Sequence, residues 1–272
     1  MTVGSVRKVG DIRLAAKLMR GGDAVAFYNR GVWALAGDGK NGKFINNVYK
    51  IKGQSRKGNP LAAFINSRRL MPLVDKSKVH DSLQNLFLDP LKYSRWFGSL
   101  CFFRLPITSE AVKIIPKDMV SFLENGTAVL QNWDPAGHVP AENVVAAMEE
   151  EGIEFHAITS FNFHGEPEIV DDQIAIEFAK KSGVKLVLVD PENKKKTQGG
   201  YTIFSLVEKE VHLVRHGNIP VNFFKLHFGD LTKIEGAKEC NYKIPSFPEH
   251  LLMSQTPEEI RKKILHHLNY GK

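Results

Sequence analysis

An α/β fold, with helices flanking a mostly mixed β-sheet, is what this sequence predicts, and three observations point to it. In the second half, short apolar strand-like runs alternate with amphipathic helical segments. One of those runs, "VKLVLVD" at 184–190, is continuously apolar, as a strand buried in a sheet covered on both faces must be. A composition of 43% hydrophobic and 25% charged residues over 272 positions belongs to a globular chain with a real core.

The elements follow in order. Asp11 is placed to cap a helix through "IRLAAKLMR", which Gly21-Gly22 stops. Strands are expected at 23–28 and 32–36, around a short turn at Asn29-Arg30-Gly31. Phe44, Val48 and Ile51 share one side of a helix over 43–53 that ends at Gly53. "PLAAFI" (60–65) reads as a short buried strand, "DSLQNLFLDPL" (81–91) as helical, and "SLCFFRLP" (99–106) as a strand ended by its proline. The alternation then runs strand 127–133, helix 141–152, strand 155–161, helix 170–183, strand 184–190 and a hairpin over 201–217. Residues 1–220 are read as the main domain and 221–272 as a C-terminal extension. That extension finishes in "TPEEIRKKILHHLNYG", where Thr256 caps, Pro257 opens the helix and Glu259 completes a capping box. Ile260, Ile264, Leu265 and Leu268 form its apolar stripe, which predicts a docking helix.

Charge is unevenly spread. The net charge is +7, yet residues 1–80 hold 16 Lys/Arg against 4 Asp/Glu, and the other 192 residues hold 21 against 26. A basic first third is the footprint of an anionic partner, such as a nucleotide or tRNA, or of a solvated basic surface. No apolar run approaches the ~18 residues of a membrane span. The N-terminus lacks the apolar core of a signal peptide, and Cys101 and Cys240 form neither a disulfide framework nor a metal-ligand spacing. The expectation is a cytoplasmic protein with no membrane partner.

Several motifs invite a function. Gly37 to Lys43 matches G-x-x-x-x-G-K, but Phe44 stands where a P-loop needs Ser or Thr for Mg²⁺. Glycines and an Asn are also what a tight strand-to-helix turn uses. The ten histidines show no metal-binding spacing, although His156 and His164 flank one strand end. In "ITSFNFHGEP" (158–167) an apolar strand runs straight into Thr159, Ser160 and Asn162. Small hydroxyl and amide groups at a strand's C-terminal end sit where open α/β sheets bind ligands; a polar loop or helix cap has the same composition. "VYKIKGQSRKGNPL" carries Lys52, Arg56 and Lys57 and no acid, the charge of a phosphate-holding loop or of a solvated turn.

In sequence order these pieces resemble the YrdC family, the threonylcarbamoyl-adenylate synthases that begin a universal tRNA modification. The likeness runs from about residue 11 to residue 220. "VWAL" stands where the family has V-Y-G-L, and "YKIKGQSRKGNPL" resembles its Y-x-I-K-G-R…K-P-L. "WFGSL" is similar to W-P-G-P-L, "TSFNFHGEP" to T-S-A-N-x-S-G-E-P, "QGGYTIFSL" to G-x-x-S-T-V-V-D-L, and "HLVRHGNIP" to L-R-x-G-x-I. The resemblance implies a YrdC-type twisted sheet with a concave basic cleft for ATP with Mg²⁺, an amino acid such as threonine, and bicarbonate. It makes Lys52 the cleft lysine with a catalytic role, and Ser160, Asn162 and Arg215 nucleotide-binding residues.

The departures are specific. Tyr28-Asn29-Arg30-Gly31 replaces the family's P-T-D-T, Gln54 and Asn59 replace an arginine and a lysine, Gln131 replaces the arginine of V-R-x-P, and Tyr201 replaces a serine. Asn29, Arg30, Gln54, Gln131 and Tyr201 are therefore expected in the substrate pocket, with Arg56 and Lys57 as replacement phosphate-binding charges. Two functions follow from the resemblance. One is a carbamoyl-adenylate synthase linked to tRNA modification, a nucleotidyltransferase in class. The other is a non-catalytic protein of the same fold that binds a nucleotide, tRNA or double-stranded RNA.

Overall fold

Hydrophobic periodicity resolves into twelve strands and nine α-helices among the described residues. The computed structural model describes residues 1–53, 59–192, 200–217, 219, 232–233, 236–238 and 256–267. Gln54, Arg56, Lys57, Cys240 and Leu268 lie outside them.

In the first third, β1 (Thr2–Ser5) leads into α1 (Val9–Arg20), then a hairpin of β2 (Val25–Asn29) and β3 (Val32–Asp38), then α2 (Gly42–Lys52). The helix α1 starts three residues earlier than its sequence suggests. Asp11 lies in its first turn and accepts the Ser5 N–H through Oδ2 at 2.8 Å, so it ties the preceding loop and does not cap. The β2–β3 register pairs Asn29 with Val32. Arg30 (φ 39°) and Gly31 (φ 95°) thus form a two-residue turn with both central φ angles positive, the geometry that matches strand twist. Gly37 to Phe44 is an ordinary strand-to-helix turn, as Phe44 foretold. Asn41 caps α2 by accepting from Lys43 N–H, Lys43 Nζ reaches Gly21 O and Asp23, and the buried Phe44 ring fills the space a Cβ at Gly37 would need.

Three short pieces follow: β4 (Ala62–Ala63), α3 (Ser67–Leu70) and α4 (Asp81–Gln84). The strand expected over 60–65 shrinks to two residues because the Asn132 side chain takes over its ladder. It accepts from Ile65 N–H at 3.2 Å and donates to Ile65 O at 3.1 Å. The single helical segment expected over 81–91 is broken. Asp89 Oδ1 accepts from Leu91 and Lys92 N–H and starts a new helix, α5 (Pro90–Phe97), with Pro90 in its first turn.

The rest is β5 (Phe102–Pro106), α6 (Ser109–Ile114), β6 (Val120–Phe122), β7 (Ala128–Trp133), α7 (Val139–Glu150), β8 (His156–Ser160), α8 (Asp172–Ser182), β9 (Leu186–Val189), β10 (Ile203–Ser205), β11 (Val211–Arg215), β12 (Thr232–Lys233) and α9 (Pro257–His267). One mixed sheet takes the order β1-β9-β2-β3-β8-β4-β7-β5-β10-β11-β12, with β6 added beside β7. Alternate residues serve two cores. Tyr28, Trp33 and Leu35 face α2, α5, α8 and α9; Phe27, Val32 and Ala34 face α1 and α7. Residues beyond 220 join this body, β12 through the ladder and α9 through buried Ile260, Ile264 and Leu265. The α9 capping box forms as expected, with Thr256 N–H donating to Glu259 and Glu259 N–H to Thr256 Oγ1. Its Arg261 donates to the carbonyls of Gly98 and Ala136.

A polar chain runs beneath that contact. Ser67 Oγ donates to Pro90 O at 2.8 Å and lies 2.6 Å from Ser94 Oγ, which is 2.7 Å from Asp134 Oδ2. Two hydroxyl protons cannot fill three hydrogen bonds. With Asp134 ionised, Ser94 donates to it and the Ser67–Ser94 contact has no proton. With Asp134 protonated the direction reverses, Asp134 donating to Ser94, Ser94 to Ser67 and Ser67 to Pro90 O, so that all three bonds are filled. Burial pushes this carboxyl up to about 6, against the Ser94 hydroxyl and the Ala136 N–H, which favour its ionised form.

Candidate functional site

On the α1–α7 face the second core stops short and leaves a cavity of about 490 Å³, within the usual range for small-molecule sites. Eight consecutive strands of the sheet, from β2 to β11, supply its lining. Small residues Ala34 and Ala62 lower the floor at its centre, and Phe102 and Tyr201 form an apolar wall, their rings 5.4 Å apart. The described charges on the lining are Lys52, Arg104, Arg215 and Lys238 against Glu166 and Glu168, an excess of positive charge suited to an anion.

Most of the predicted residues meet here. Asn29, Lys52, Gln131, Ser160, Asn162, Tyr201 and Arg215 all line the cavity. Ser160 ends β8, and Asn162 follows it in a turn closed by the Asn162 Nδ2 bond to Glu166 O. Arg215 ends β11, donates through Nε and Nη2 to Tyr201 O, and faces Glu168 at 3.4 Å. Tyr201 in turn donates its hydroxyl to Asn29 O at 2.8 Å.

Lys52, which the motif makes the cleft lysine, lines the cavity and is tied to the polar groups of its rim. It is buried at the end of α2, and its ammonium donates to Ser160 O (2.5 Å), Asn162 O (2.9 Å) and Asn162 Oδ1 (2.8 Å). An ammonium has three protons, and these three acceptors, with Ser160 Oγ at 3.4 Å as a fourth, are enough to engage them all. Lys52 thus ties Ser160 and Asn162 to the end of α2.

Arg30 is not in the lining. The hairpin turn carries it away from the basin, where it donates to Ser99 Oγ at 2.7 Å and to Gly137 O. Those buried bonds offset the roughly 1 kcal/mol or more that a left-handed non-glycine backbone costs. His156 is likewise a core residue, held between Phe64 O and Ile153 O with its pKa lowered by burial, while His164 lines the cavity. Among the described residues no group of three His, Cys, Asp or Glu is placed to hold a metal ion, and no helix is long and apolar enough to cross a membrane.

Sequence reasoning missed Arg104. It belongs to no motif, but alternation in "FFRLP" marks it: Phe103 and Leu105 enter one core, so Arg104 faces the other side. The Asn29 side chain is also informative. It is buried beside the cavity, and neither its Nδ2 nor its Oδ1 has a hydrogen-bond partner among the described residues. A polar pair left so is costly unless something in the cavity satisfies it.

No family model and no curated protein matches the sequence. Solved structures do. Sua5 from P. abyssi in complex with L-threonine is 20% identical, with a TM-score of 0.66 over 90% of this chain and 68% of that one. A doubly substituted form of the same Sua5 gives 0.64 over 88% and 65%, so the chain spans about two thirds of the length of these proteins. YciO from E. coli is 17% identical, with a TM-score of 0.60 over 80% of this chain and 95% of that one.

Proposed function

We propose that this chain, whose fold is YrdC/Sua5-like, binds ATP in its basic cavity and makes a carbamoyl-adenylate from it. One observation carries the reading. Ser160, Asn162 and Arg215, which the sequence places some 55 residues apart, converge on one positively lined basin of ligand size. In the reaction, an amine and bicarbonate form a carbamate with loss of water. A carbamate oxygen then attacks the α-phosphorus of ATP, and the bond to the β-phosphate oxygen breaks to release pyrophosphate. Such chemistry needs positioning and charge neutralisation more than a protein nucleophile.

In this reading the rim hydroxyl and carboxamide of Ser160 and Asn162, held by Lys52, bind the nucleotide, and Arg215 balances phosphate charge. Magnesium enters as part of the nucleotide substrate, and no step is assigned to it. Asn29 offers its carboxamide, Nδ2 as donor and Oδ1 as acceptor, to the amine substrate, of which threonine is the first to test. A role in tRNA modification would follow from that product. The test is pyrophosphate release from ATP and bicarbonate, screened across amino acids. Release with one amine and not in its absence is expected; no release with any amine overturns catalysis.

A second reading is favoured by the Lys52 ammonium, whose three protons already have acceptors. A cleft with its lysine so engaged suits binding without turnover, of a nucleotide or of structured RNA such as tRNA or an RNA duplex. RNA affinity would then fall steeply with salt as phosphate contacts are screened. Salt-insensitive affinity, or none, rules out the RNA form.

A further inference from the structure

One cation of the cavity, Arg104, has no part in the carbamoyl-adenylate scheme. Gln131 stands where the resemblance expects an arginine, yet the basin is not short of a guanidinium at that point. Arg104 is the register partner of Gln131 in the β5–β7 ladder, so the two side chains emerge side by side on the cavity face. Arg104 Nε donates to Gln131 Oε1 at 3.1 Å. That bond pins one edge of the guanidinium and leaves its two terminal amino groups without a hydrogen-bond partner among the described residues.

Its electrostatic setting is unusual. Arg215, the other guanidinium of the lining, has Glu168 as an acid neighbour and Tyr201 O as an acceptor. No described acid pairs with Arg104. Burial and the charge of Arg215 together lower its pKa, the signature of a cation held without its counter-ion. A half-buried guanidinium fork with free donors and a second cation nearby is built for a planar or tetrahedral oxyanion. Two guanidiniums on one basin favour a multiply charged anion over a single carboxylate.

We propose that Arg104 is a second phosphate-binding residue of this cleft beside Arg215, supplying from β5 the charge that β7 lost at Gln131. The inference rests on the nucleotide reading above and adds a residue that no motif in the sequence assigns. Gln131 then acts as a positioning residue that orients the fork.

Inorganic pyrophosphate and ATP are the probes, measured by calorimetry on the full chain at fixed salt. Arg104→Gln should weaken both by about 10- to 100-fold. Arg104→Lys, which keeps charge but not the fork, should recover only part of that loss. The double swap Arg104→Gln/Gln131→Arg returns the guanidinium to the neighbouring strand and should restore most of the affinity, which a merely structural role for Arg104 would not allow. Unchanged pyrophosphate affinity in Arg104→Gln overturns the proposal and leaves the nucleotide reading standing. So does a loss confined to free amino acids, which would make the ligand group a carboxylate. Failure of the wild-type chain to bind either probe overturns the nucleotide reading, and this proposal with it.

Discussion

Replacing Asp134 by Asn should make the protein more stable at neutral pH and leave it unchanged in acid. The carboxyl titrates at about 6 in the folded chain, against an ordinary value of 3.8, because burial outweighs its bonds to Ser94 and the Ala136 N–H. An acid whose folded pKa is raised binds more protons folded than unfolded. Its contribution is therefore complete below pH 3.8 and is lost as pH rises through 6. A shift of this size corresponds to about 3 kcal/mol between the two limits. Asparagine mimics the protonated acid at this site, since Nδ2 in the place of Oδ2 donates to Ser94 and Oδ1 still accepts from Ala136. Urea unfolding of both proteins from about pH 4 to about pH 8 measures the difference. Expected is a gap near zero at the acid end that opens to about 3 kcal/mol by about pH 7.5. A pH-independent gap, or a destabilised variant throughout, would show that Asp134 is charged and satisfied, and would refute the proton count along Ser94 and Ser67.

Lys52→Met keeps the aliphatic stem but leaves Ser160 O, Asn162 O and Asn162 Oδ1 without their donor; it should cost about 3 kcal/mol in urea unfolding. Intact stability with lost ATP affinity would instead make Lys52 a ligand group. Asn29→Leu removes a buried amide that lacks partners among the described residues, so stability without ligand should rise by about 1–2 kcal/mol in thermal unfolding, while the affinity of the amine substrate falls. A lower Tm in the free protein would mean that the amide is bonded.

How much could be read in advance depended on how far away the partners were. The continuous run of β9, the Thr256–Glu259 capping box and the Gly37 turn are local, and their residues suffice to define them. The β2–β3 turn was legible as a turn, but its left-handed pair, which sends Arg30 toward Ser99 and Gly137, was not. The break at Asp89-Pro90 carried a signal, an N-cap directly before a proline, that the apolar pattern overrode. The two-residue length of β4 depends on Asn132, 67 residues beyond Ile65, and the acceptors of Lys52 lie 108 and 110 residues away. Motif order picked out residues that meet on one rim; it could not reveal which of their hydrogen bonds were already taken. Arg104 was missed because its partner is a register neighbour, and register is a property of the sheet.

The strand order also dictates a timetable for synthesis. The β2–β3 hairpin is complete at residue 38, but its two flanking neighbours in the sheet are β9 and β8, which end at residues 189 and 160. At ribosomal speeds of about 5–20 residues per second, the last of them emerges roughly 8–30 s later. Throughout that interval an apolar hairpin presents two open edges, each a template for another strand. Until the second half arrives, α1 and α2 are the only helices before β4, among the described residues, that can cover this hairpin. For the same reason neither half, cut between α7 and β8, holds a complete sheet.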